Sequence, residues 1–111
     1  MPIDIETLRQ VCRVAPDDPV VRFALGQKLF EEDGSGEALR EASEHLEFVR
    51  DHDARNAAAV YVLAQVYVAR GHLEAARETL HAARDRIATR ADIDGTDLLP
   101  QIEALLDEIT D

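Results

Sequence analysis

Four histidines (His45, His52, His72 and His81) and one cysteine, Cys12, are the residues of this 111-residue chain best suited to ligate a metal or act as a nucleophile. Glu41 with His45, and His81 with Asp85, stand four positions apart, a spacing that sets two side chains side by side on a helix. Glu74, Glu78, His81 and Asp85 extend the second pair into a stripe along one helical face. Arg77 and Arg84 run through the same stretch, and carboxylates laced with arginines make an ordinary solvated face. No closed ligand set with metal-site spacing occurs, so neither a metal nor another cofactor is expected. Cys12 follows Ile5, Leu8 and Val11 on an apolar face and reads as a core thiol, not a nucleophile. The tetrapeptide "DGSG" (33–36) lacks the strand, the lysine and the length of a phosphate loop, and reads as a turn. No catalytic residues are assigned. An enzyme is not expected, and a metal-dependent one on the Glu/His stripe is the last of three functions considered.

The elements that would carry these side chains belong to one domain spanning residues 1–111, since the chain is long enough for one core and too short for two. Hydrophobic residues at 46% and charged residues at 32% describe a soluble globular protein. A single cysteine fits a reducing compartment, and no basic-then-apolar leader or bilayer-length apolar run is visible, so a cytoplasmic protein is expected. Asp and Glu total 23 against 12 Lys and Arg, a net charge of −11, with Lys28 the one lysine. That surface repels phosphate backbones and anionic bilayers, which argues against nucleic-acid and membrane partners. Two readings of the acidity stand: a solvating coat suited to high salt, as in halophilic adaptation, or a face complementary to a basic partner. The spread of the acids along the chain, without one block, favours the coat.

Apolar spacing and turn signals divide the chain into about six helices, an all-α pattern with no convincing strand. Asp4 caps a first segment carrying Leu8 and Val11, which Pro16 closes. Asp18 and Pro19 open a second, in the capping and first helical positions, and it stops at "DGSG". Ser35 starts a third, through Leu39, Ala42, Leu46 and Val49, fading at "RDHD". The fourth starts near Asp53 and ends where Gly71 can take a left-handed conformation. The fifth spans about 72–88; after a polar connector, "TRADIDG", the sixth shows Ile102, Leu105, Leu106 and Ile109 on one face.

Two of these helices share a phrase. "LGQKLF" (25–30) returns as "LAQVYV" (63–68), an offset of 38, whereas Ala42, Leu46 and Val49 return as Ala76, Leu80 and Ala83 at an offset of 34. Four extra residues therefore lie between Leu29 and Ala42, inside "EEDGSGEA". Small residues (Gly26, Ala42, Ala64, Ala76) facing bulky ones (Leu25, Leu46, Leu63, Leu80) would let paired helices approach closely. A large residue at Ala64 or Ala76 would overpack that seam.

A 34-residue unit of two helices is the tetratricopeptide period. Val60, Leu63, Ala64, Tyr67, Gly71, Ala76, Leu80, Ala83 and Ala88 make residues 57–90 resemble that family, in its small bacterial-type form. Leu25, Gly26, Leu29, Ala42, Leu46 and Val49 carry the resemblance over 19–56, which departs at Arg22, where a large apolar residue is usual. Leu8 and Val11 precede Leu46 and Val49 by 38, so the first helix resembles a lone second half-unit. The resemblance implies stacked antiparallel hairpins: a capping helix at 4–16, repeat 1 at 19–56 with the four-residue insertion, repeat 2 at 57–90 and a capping helix at 97–110.

It also implies a function. Members bind peptides along the concave surface made by the first helix of each hairpin. The positions that point there are Val20, Phe23, Gln27 and Phe30, then Ala58, Tyr61, Gln65 and Val68. The expected partner is an unidentified protein, contributing a peptide or helix. Members that clasp a terminal carboxylate place cations in this groove; the corresponding sites hold Val20, Phe23, Ala24, Gln27, Val62 and Gln65, so that clamp is not expected. The runner-up is a structural homodimer that uses the same groove against itself.

Overall fold

Short polar side chains set where the first four helices begin. In the computed structural model, which describes residues 4–53, 56–89 and 98–109, Asp4 Oδ1 accepts the Thr7 N–H at 2.8 Å and opens α1 (Ile5–Val14). Asp18 accepts from Val20 at 3.0 Å ahead of Pro19, the first residue of α2 (Pro19–Lys28), where its missing N–H costs nothing. Ser35 Oγ accepts from Ala38 at 3.2 Å and starts α3 (Gly36–His52). Asn56 Oδ1 accepts from Ala59 at 3.0 Å and starts α4 (Ala57–Ala69). The fourth helix therefore does not begin near Asp53; that residue ends α3, its N–H bonded to Val49 O at 2.7 Å. α5 (Leu73–Thr89) and α6 (Leu99–Ile109) complete the chain, with Pro100 in the first turn of α6. Of the connector "TRADIDG" (89–95), Thr89 ends α5 and the rest lies outside the described residues.

Two glycines end helices with positive φ. After α4, Gly71 (φ 79) donates to Val68 O at 3.0 Å while His72 donates to Tyr67 O at 2.8 Å, a Schellman termination. After α2, the helix widens into a π-type turn (Leu29–Asp33), and Gly34 (φ 70) donates to Leu29 O at 3.0 Å. Six of the eight residues in the "EEDGSGEA" stretch, Glu31 to Asp33 and Gly36 to Ala38, are helical, so the extra length is not confined to a turn.

Neighbouring helices pack in chain order: α1 on α2, α2 on α3, α3 on α4, α4 on α5 and α5 on α6. No strand occurs among the described residues. Corresponding seam positions have corresponding burial: Leu25 with Leu63, Ala42 with Ala76 and Leu46 with Leu80 are all essentially inaccessible. Helix α4 lies at the centre, with Ala57, Ala59, Val60, Val62, Leu63, Ala64, Val66 and Tyr67 buried, which is why its sequence is apolar on nearly every side. One apolar cluster joins α1 to α5; a second gathers Val60, Ala64, Leu80, Ala83 and Ile87 under Ile102 and Leu106 of α6.

Two sequence departures acquire physical reasons. Arg22 replaces a large apolar residue by laying its guanidinium 4.0 Å above the Phe48 ring, itself stacked on His52 at 4.0 Å, while its Nε donates to Pro16 O at 2.6 Å. On α1 the buried pair is Leu8 and Cys12; Val11 remains 40% exposed and so does not repeat the buried Val49.

Candidate functional site

The eight residues that the family resemblance places on a concave face divide between two helices. On α4, Ala58, Tyr61, Gln65 and Val68 are half-buried, with wholly buried residues on the remaining sides of the helix. Their spacing makes them one stripe, and it is the stripe that neighbouring helices leave partly open. On α2 and its wide last turn, Phe23, Gln27 and Phe30 are half-buried, whereas Val20, in the first turn, is 75% exposed.

Packing shows how these side chains are held. Phe23, Phe30 and Val68 lean on the larger apolar cluster, and Tyr61 leans on the smaller one beside α6. Their inner surfaces are fixed by the core and their outer edges meet solvent. Gln27 Nε2 lies 3.4 Å from Glu31 Oε2, a long bond to its own helix. Among the six positions compared with a carboxylate clamp, Val62 is buried and therefore is not part of an open face. Lys28, the one lysine, donates to Glu32 at 2.7 Å along its own helix.

A second opening lies on another flank. Arg50 of α3, Ala57 and Val60 of α4, and Thr79, Ala83 and Ile87 of α5 bound a cleft of about 220 Å3, with Glu78, Ala82 and Arg86 completing its wall. Nothing in the periodicity of the sequence marks it, because its lining comes from three separated helices and owes its space to alanines.

Of the polar residues singled out for chemistry, Glu41 and His45 sit in a network between helices. Arg9 holds Glu41 with two bonds, Nη2 to Oε1 at 2.8 Å and Nε to Oε2 at 3.2 Å, tying α1 to α3. This pairing, above all, keeps the Glu41 carboxyl below its ordinary pKa. His45 Nε2 is 3.4 Å from the same carboxylate, while its Nδ1 is buried without a partner. Desolvation outweighs Glu41 and lowers the His45 pKa, favouring the neutral ring. The Tyr67 hydroxyl donates to Glu47 across the α3–α4 seam, and burial followed by that carboxylate pushes its pKa up to about 12. Buried Ser43 accepts from Arg70 at 2.7 Å across the same seam. In the Glu/His stripe of α5, His81 Nδ1 and Arg84 Nη2 are 3.0 Å apart. Among the described residues no three His, Cys, Asp or Glu side chains converge as a metal site.

This geometry defines a class: an α-helical hairpin stack with partly open apolar flanks. A family model for the tetratricopeptide repeat matches residues 35–95, more than half the chain, and the chain belongs to that family. The match takes in α3, α4 and α5, the part with the most regular seam. No curated protein matches the chain. Membership points to protein–protein interaction as its broad role. Among the described residues no helix is long and apolar enough to cross a membrane.

Proposed function

We propose that this protein binds a peptide or helix of a partner protein along the face formed by Val20, Phe23, Gln27 and Phe30 of α2 and its last turn and by Ala58, Tyr61, Gln65 and Val68 of α4. The half-open stripe on α4 carries this reading: a helix buried almost all round keeps one line of apolar and amide side chains accessible. Aromatic and aliphatic contacts supply most of the binding energy in such a face, and the two glutamines satisfy backbone groups of the guest. A carboxylate clamp plays no part, because the groove positions carry no cation. The protein acts by binding, not by catalysis, in the cytoplasm.

An affinity pull-down comparing the wild type with Phe23→Glu/Tyr61→Glu tests the proposal, with circular dichroism confirming that the variant folds. A partner retained by the wild type and lost by the folded variant supports it. Equal retention by both would sink it.

A further inference from the structure

We infer that the cleft between α3 and α5 is a second docking site, taking a large aliphatic side chain with a carboxylate beside it from a partner polypeptide. It is separate from the α2–α4 face and does not depend on it.

Size and chemistry argue for the aliphatic anchor. The cleft holds about 220 Å3, more than the roughly 150 Å3 in which an apolar protein cavity accommodates benzene. Ala57, Val60, Ala83 and Ile87 form an apolar floor and are themselves buried, so the floor is rigid. Alanines at 57, 82 and 83 leave the space, and an aliphatic guest would take the apolar floor out of water.

Charge argues for the neighbouring carboxylate. The wall carries two guanidinia, Arg50 and Arg86, against one carboxylate, Glu78. That reverses the balance of the whole chain, where 23 acids face 12 bases. Arg50 Nε already donates to Asp51 Oδ1 at 3.0 Å and its guanidinium also lies beside the Tyr67 hydroxyl, and Arg86 is engaged within the chain. A guanidinium has five N–H donors, and its planar fork suits a further carboxylate beside the partners it already has. A basic guest would instead meet two like charges against the single carboxylate of Glu78.

Two blocked peptides test the site, Ala-Glu-Leu-Leu-Glu-Ala and its counterpart with both glutamates replaced by lysine, each titrated into the 15N-labelled full chain. The glutamate peptide should shift the amides of Ala57, Val60, Thr79, Ala82, Ala83 and Ile87. The lysine peptide should bind about tenfold more weakly or worse. Ala82→Trp, at an exposed position that fills the cleft, should abolish these shifts. Arg50→Glu/Arg86→Glu should invert the preference, with a native circular dichroism spectrum in each variant showing that the fold is intact. The inference is overturned by an absence of shifts, by equal binding of both peptides, or by binding that survives Ala82→Trp. Shifts confined to Phe23, Gln27, Tyr61 and Gln65 would overturn it too, while supporting the α2–α4 face.

Discussion

A methyl group placed on Gly26 would stand 2.8 Å from Leu46 Cγ and 3.3 Å from the Ala42 carbonyl oxygen, so α2 and α3 meet more closely than an alanine would allow. The colliding atom is the branch carbon of a fully buried leucine, which cannot swing away as a side-chain tip would. In the next hairpin the equivalent residue is Ala64, so this pair of helices carries the tighter constraint.

Gly26→Ala is therefore expected to destabilise the protein despite its better helix propensity. Alanine recovers about 1 kcal/mol of helix propensity, while overpacking costs about 1–3 kcal/mol, leaving a net loss of about 1 kcal/mol. Urea titration measures it. Gly26→Ala should cost less in a Leu46→Ala background, because that change removes the collision. A Gly26→Ala protein as stable as the wild type would refute the close approach.

Much of the helical frame can be read from residue types alone. Asp4, Asp18 and Ser35 cap because their short oxygens reach N–H groups two or three residues on. The seam is equally legible, since its small and bulky residues recur at fixed offsets. Three-dimensional substitutions are not. Arg22 is out of pattern until Phe48 is seen beneath it, and Val11 has the right spacing but the wrong neighbourhood at the edge of the stack. Asn56 wins the cap from Asp53 because the chain leaves α3 first. The face proposed on α2 and α4 rests on family resemblance, since no residue type marks it. The α3–α5 cleft was not accessible at all, because a cavity made by alanines leaves no periodic signal.

His45 makes stability depend on pH. Burial lowers its native pKa below the ordinary 6.5, so near and just below that value the unfolded chain binds more protons than the native one. The contribution is fully present above about pH 6.5 and lost as pH falls from there toward the lowered native value. Melting temperature should drop between pH 7.5 and 5.5, and His45→Gln, which keeps a donor for Glu41 but does not titrate, should flatten that slope. Parallel wild-type and His45→Gln profiles would show that His45 does not govern it.

Tyr67 acts at the opposite end of the scale. Its native pKa, raised to about 12 from 10.0, keeps the phenol neutral after the unfolded chain has begun to ionise. Its contribution is thus present below about pH 10 and lost as pH rises toward 12. Tyr67→Phe should cost about 1–3 kcal/mol near neutrality, because Glu47 loses a partner in a half-buried position. Absorbance titration of the phenols should show a late component that this variant lacks. If it persists, the late phenol is not Tyr67.

Added salt should stabilise the fold. Several cations are spent on neutral acceptors instead of acids: Arg22 on Pro16 O, Arg70 on Ser43 Oγ and Arg77 on Ile109 O. The excess of acids is left to repel itself, and at 1 M salt the screening length falls to about 3 Å. Melting temperature is expected to rise steadily from low to high KCl. A flat or falling curve would favour acids organised to meet a basic partner over a solvating coat.

Self-association through the surface proposed on α2 and α4 would make a different demand. A symmetric dimer would bring Phe23 and Tyr61 of one chain against those of another, together with two copies of a net charge of −11. Val20, 75% exposed in the first turn of α2, would have to be covered. Charge repulsion at low salt works against that contact, so sedimentation in 20 mM KCl across a concentration series should give a monomer throughout. At high KCl the repulsion is screened and the apolar term strengthens, making this the more demanding condition. A monomer there as well leaves the face open for a different protein. A salt-promoted dimer that Phe23→Glu dissolves would make this surface a homodimer interface, and the partner proposed for it would have to be abandoned.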